Sequence, residues 1–271
     1  MITPAITTPI AQPIGSPFGH RLGGMAPPPP VPPVVDPDAP LRALIEEMFG
    51  ASEPGALLIP QPIVLGKQVL WQDAAGTVPV RYNGDPVGLW EVTAGNKRVW
   101  QDVSAKRGVY RTDGNGHHWI DTAGGAFYNI DSINVAGGCV FIAGEYTGSS
   151  GTSIFISGNG PGYVHFRSDG RWRRNFQNID TPSSLSINAS KAQRLNMSGL
   201  YMRVRTSDQS TEYTNSIEAS SSGLDNAQSL FAYPGGGSSA DMNIYGLMLR
   251  EQKMNPDKEQ PVLDYLAGLR P

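Results

Sequence analysis

Gly162-Tyr163-Val164-His165-Phe166-Arg167-Ser168-Asp169-Gly170-Arg171-Trp172-Arg173-Arg174-Asn175-Phe176 is the stretch that decides the fold class of this chain. Two runs of alternating character meet at Asp169-Gly170, a dipeptide that supplies the positive φ angles of a two-residue type I′ hairpin. With a loop of those two residues, Arg167 stands opposite Trp172, His165 opposite Arg174 and Tyr163 opposite Phe176. Strand side chains alternate between faces, so these six share one face; Val164, Phe166, Ser168, Arg171, Arg173 and Asn175 share the other. Rings stack on the C–H faces of sugars, and guanidinium groups hydrogen-bond hydroxyls or acidic sugars. The expected carbohydrate-binding residues are therefore Tyr163, His165, Arg167, Trp172 and Arg174. The plainer alternative is that the rings cover part of a core and the arginines stack on them.

The totals agree with an antiparallel β protein. With Gly 32, Pro 23 and only 17% charged residues in 271, the chain reads as turn-rich and all-β, with an unstructured extension. A net charge of −3 gives no electrostatic case for nucleic acid, whose binders present a basic face. One cysteine, Cys139, excludes an intrachain disulfide framework and a multi-thiolate metal site, and its apolar neighbours mark it as a buried thiol. Met1 to Pro9 has neither the basic start nor the apolar stretch of a signal peptide, and no run approaches a membrane span.

Residues 1–40 read as an extended arm. Pro27 to Pro30, Pro32, Pro33, Pro37 and Pro40 favour polyproline II and cannot build a core. Ile2, Ile6, Ile10, Ile14 and Phe18 are spaced ahead of them as anchors, so the expected role is attachment to neighbouring subunits; the alternative is folding back on the same chain. Residues 41–54 hold a short helix and connector: Asp38 caps it, Pro40 suits its first turn, Leu41, Leu44, Ile45 and Met48 share a face, and Gly50 ends it. Residues 55–271 form the β domain, with a mostly apolar central strand from Cys139 to Tyr146. A closing helix runs from Lys258 to Leu269, with Pro261 in its first turn and Leu263, Leu266 and Leu269 facing the sheets.

Gln72-Asp73-Ala74-Ala75-Gly76-Thr77-Val78-Pro79-Val80 leads to Gly84-Asp85-Pro86-Val87-Gly88-Leu89-Trp90, and Arg111 to Asp121 follows with Asp113-Gly114-Asn115-Gly116-His117-His118. Together with Met242 to Arg250 and the helix after it, these motifs resemble the concanavalin A-like or laminin G-like lectin module found in tail, fibre and spike virion proteins of bacteriophages and phage-like particles. The resemblance covers roughly residues 55–270 and not the arm. Two departures stand out: Glu91 to Lys97 replaces a Gly- and Asn-rich segment of that group, and His117-His118 stand where acids often lie. The resemblance implies a jelly-roll β-sandwich and a virion component, attached through residues 1–40, homo-oligomeric, displaying a domain that touches host polysaccharide. A free carbohydrate-binding module is the alternative.

The residues themselves argue against catalysis. Glycoside hydrolysis uses two carboxylates about 5–10 Å apart. Glu145 stands alone in its strand, and Glu212 and Glu218 lie on one face but about 20 Å apart. Gly148-Ser149-Ser150-Gly151 and Ser220-Ser221-Ser222-Gly223 lack the strand–turn–helix elbow of a serine nucleophile. Adjacent His117 and His118 point to opposite faces and do not chelate together. The expectation is a chain that is not an enzyme, with no cofactor, no metal, no nucleic acid and no membrane among its partners, and a glycan hydrolase as the least favoured reading.

Overall fold

The computed structural model describes residues 36–50, 52–148, 153–158, 163–166, 169–174, 179–180, 186–187, 192–198, 201–208, 212–216, 224 and 226–271. The chain divides into two units, Met1–Asp36 and Pro37–Pro271. The anchors Ile2, Ile6, Ile10, Ile14 and Phe18 lie outside the described residues, as does Arg167. Among the described residues the second unit is all-β apart from two α-helices, and its strand pairs in both large sheets are antiparallel, as the hairpin and composition predict.

One sheet runs in the order Glu212–Ser216, Tyr201–Thr206, Gln193–Ser198, Cys139–Tyr146, Met242–Arg250, His118–Asp121, Gly108–Thr112, Pro86–Val87. Gly55–Leu58 also pairs with Met242–Arg250. The other runs Ile179–Asp180, Trp172–Arg174, Tyr163–Phe166, Ser153–Gly158, Ala227–Leu230, Tyr128–Ile133, Arg98–Trp100, Leu89–Glu91, Leu70–Trp71. The two sheets enclose one apolar core. Polar bonds cross it where rings reach over: Tyr128 accepts the N–H of Gly108 at 3.2 Å and donates to the carbonyl of Val87 at 3.0 Å. Trp172 Nε1 donates to Gln193 Oε1 from one sheet to the other, while its ring meets Phe155 edge-on at 5.2 Å.

The helices α1 (Ala39–Phe49) and α2 (Pro256–Ala267) explain why Met242–Arg250 is buried along nearly its whole length. The core covers one side, and α2 covers the other so closely that a Cβ at Gly246 would meet Leu266 and Leu269 at 2.8 Å. Leu41, Leu44 and Met48 of α1 are buried, as their spacing predicts. The end helix differs from expectation. Asn255 caps α2 by accepting from the N–H of Asp257, Pro256 occupies the first turn, and Pro261 lies inside the helix. A proline there leaves the carbonyl four residues earlier, that of Asp257, without its helical donor.

Beneath α2 lies an ionic contact that hydropathy patterning does not show. Arg194 and Arg205 are register partners on adjacent strands, and Glu259 reaches between them, 2.6 Å from Arg194 and 3.6 Å from Arg205. Like charges directly opposite one another repel, so the carboxylate offsets part of that repulsion as it anchors the helix.

Candidate carbohydrate-binding face

The hairpin at Asp169-Gly170 forms, but with a longer loop than two residues. Gly170 takes the expected positive φ of 75° and Asp169 accepts the N–H of Arg171, yet Phe166 rather than Arg167 stands opposite Trp172. His165 is then opposite Arg173, and Val164 opposite Arg174. A one-residue slip exchanges faces. Trp172 is consequently a core residue with no exposed surface and does not belong to the expected sugar platform; Arg174 is the register partner of Val164. Tyr163 and His165 remain together, their rings 5.4 Å apart, with His165 buried and Tyr163 half-buried.

On the side of the sheet away from the core, register aligns a row across five strands. Trp100 is the register partner of Asn129, Asn129 of Ser229, Ser229 of Ser157, and Ser157 of Tyr163. Four inter-strand steps make this row about 19 Å long. Its ends are rings, but its middle is closed: Ser229 and Ser157 have no exposed surface. Tyr233 meets Tyr163 edge-on at 5.0 Å, and burial together with the Tyr163 hydroxyl raises its phenol well above the usual value. The segment carrying Tyr233 is fixed by Phe231, which adopts a φ of 67° rarely seen for a bulky residue while its ring packs against Phe155 and Tyr128. Ser157 Oγ donates to the carbonyl of Ala232 at 2.8 Å and ties the same segment down.

Beside Trp100 the row opens into a groove of about 280 Å³, lined by Trp100, Asn129, Asp131, Ser132, Gln228 and Pro234. The Trp100 ring is held in place: its Nε1 donates to Asp102 at 3.1 Å, and the Arg98 guanidinium lies 5.4 Å from the ring centre. A fixed ring over convergent amide, hydroxyl and carboxylate groups is the make-up of a small-molecule site. A larger groove of about 390 Å³ lies between α1, α2 and residues 61–65, bordered by Leu41, Ile63, Leu65 and Tyr265. Asp38, Gln61 and Asp264 also border it.

The Asp113 turn is a separate, self-contained unit. Asp113 accepts the N–H groups of Asn115 and His117 at 2.8 and 3.2 Å, and Nδ1 of His117 at 2.7 Å. These bonds, the His117 ring first, hold the Asp113 carboxyl at about 2. His118 instead bonds the Tyr110 hydroxyl at 2.6 Å, so the two histidines do serve different partners. Among the described residues no group of three or more His, Cys, Asp or Glu is arranged to hold a metal ion. Cys139 is buried, and burial pushes its thiol up to about 12.

No family model and no curated protein matches this chain. Among solved structures it is similar to Trypanosoma rangeli sialidase, at 11% identity over 82% of this chain and 38% of that one, with a TM-score of 0.42. The same sialidase in complex with the inhibitor DANA matches at 13% identity over 83% of this chain and 37% of that one, TM-score 0.39. The chain thus spans well under half the length of those enzymes, and at such values the likeness carries no substrate or mechanism across. One expectation is corrected. Exclusion of enzyme activity does not stand, since counting carboxylates along single strands says nothing of acids brought together from different strands.

Proposed function

We propose that this chain is a lectin-like protein that binds a carbohydrate in the groove beside Trp100. The supporting observation is that groove itself: a fixed Trp100 ring beside Asn129, Asp131 and Ser132. A ring next to amide, hydroxyl and carboxylate groups suits stacking on a sugar's C–H face while its hydroxyls are hydrogen-bonded. The resemblance of residues 55–270 to phage lectin-like modules extends the proposal: the domain is displayed on a phage or phage-like particle as a spike, fibre or decoration, attached through residues 1–40 and repeated as a homo-oligomer.

A glycan array with the purified chain tests the first part. Binding that falls at least tenfold in Trp100→Ala, with unchanged thermal melting, supports it; binding indifferent to that change removes the groove from consideration. Deleting residues 1–40 tests the second part. The deleted protein is expected to keep its sandwich and fail to join particles, whereas incorporation without those residues rules out attachment through the arm.

A further inference from the structure

We infer that Asn115 is a site of spontaneous deamidation in the folded chain, whereas Asn83, which is also followed by glycine, is protected by the fold. The inference is independent of the glycan-binding proposal. A glycine after asparagine has no Cβ to keep its amide nitrogen away from the asparagine side chain. Asn83-Gly84 and Asn115-Gly116 share that sequence, and all four residues are exposed. A third pair, at 159–160, lies outside the described residues. Sequence and exposure do not separate the first two; hydrogen bonding does.

In Asn83-Gly84 both reacting groups are held by the strand Gly108–Thr112. The Gly84 N–H donates to the carbonyl of Tyr110 at 2.9 Å, and Asn83 Oδ1 accepts the N–H of Thr112 at 3.2 Å. Nitrogen and side chain must both leave these partners before they can meet. Asn115-Gly116 lacks the two restraints. The Gly116 N–H has no acceptor among the described residues. The Asn115 side chain makes one bond, from Nδ2 to Asp113 at 3.5 Å, the outer limit of such a contact. A Cβ added at Gly116 would meet nothing within 4 Å, so the turn has room to rearrange.

Water is the only co-reactant. The Gly116 nitrogen loses its proton and attacks Cγ of Asn115; the Cγ–Nδ2 bond breaks, and the side-chain nitrogen takes up a proton and leaves as ammonia. Water then opens the resulting five-membered imide. Attack at Cγ yields aspartate, and attack at the main-chain carbonyl yields isoaspartate, whose extra methylene lies in the backbone. Either product adds a carboxylate to the turn that already holds Asp113, where like charges oppose one another.

The experiment incubates the full chain in warm alkaline buffer, folded and in denaturant, and maps peptides by mass spectrometry. Each conversion adds about one mass unit, and fragmentation assigns it to a residue. The expected result is conversion of Asn115 at least tenfold faster than Asn83 in the folded chain, with the two rates converging in denaturant. Equal rates in the folded chain, or faster loss of Asn83, overturn the inference. A gap that persists in denaturant overturns it as well, because the difference then comes from neighbours in sequence rather than from the fold.

Discussion

Glu259 of α2 sits 2.6 Å from Arg194, whose side chain has no exposed surface. Removing one partner of such a pair strands a charge in the interior, which costs about 3–5 kcal/mol, far more than a surface ion pair contributes. Glu259→Ala is therefore expected to lower the unfolding free energy from denaturant titration by that order. The double change Glu259→Met with Arg194→Met is expected to recover part of the loss, since it removes both fully buried charges and leaves only the partly exposed Arg205 without its carboxylate. A single-variant loss below about 1 kcal/mol, the scale of an exposed pair, would mean that water reaches the cluster and α2 is held by its leucines alone.

Trp172 fills the core between the sheets and donates to Gln193. Trp172→Ala is expected to destabilise by about 3–5 kcal/mol through the cavity it leaves, and Trp172→Phe by less. Calorimetry decides this. If Trp172→Ala left the melting temperature alone and abolished glycan binding, the core placement would be wrong.

The Asp113 carboxyl offers a pH test with a definite sign. Its folded value of about 2 lies below the ordinary 3.8, so its stabilising contribution is complete above 3.8 and disappears as pH falls towards 2. Carboxyl titration by NMR is expected to show an inflection near 2 in the wild type, moving up in His117→Ala. His118 runs in the same direction for another reason: burial lowers its value from 6.5 and favours the neutral ring. Stability from that group is present above 6.5 and is lost as pH falls through the depressed value. An Asp113 inflection that stays put in His117→Ala would place the cause in the backbone donors.

Cys139 is expected to resist thiol reagents in the native state. Its thiol is buried and held up at about 12, so thiolate is scarce at neutral pH. Labelling is expected to proceed at the rate of unfolding and to accelerate in Glu259→Ala. Rapid labelling of the folded wild type contradicts the burial.

The central strand Cys139–Tyr146 is legible from sequence because burial on both sides demands an unbroken apolar run. The site was harder to see, for two physical reasons. Asp169-Gly170 does mark a turn, but loop length sets register, and one residue decides whether Trp172 faces solvent or core. The groove that takes its place draws Trp100, Asn129, Asp131, Gln228 and Pro234 from segments far apart in the chain, and its polar members carry no local signature. Arg194 was hidden differently. On an alternating strand an arginine signals the wet side, and only the docking of a helix from the far end of the sequence makes that side dry.

Met242–Arg250 pairs with Cys139–Tyr146 on one flank and with Gly55–Leu58 and His118–Asp121 on the other. During synthesis, then, the strands made first emerge with the middle of their sheet missing. They stay exposed as unpaired edges until some two hundred further residues have left the ribosome, roughly 10–40 s at ~5–20 residues per second. A nascent chain of this kind depends on being shielded from its neighbours for that interval, and slowing translation near residue 240 is expected to increase aggregation rather than relieve it.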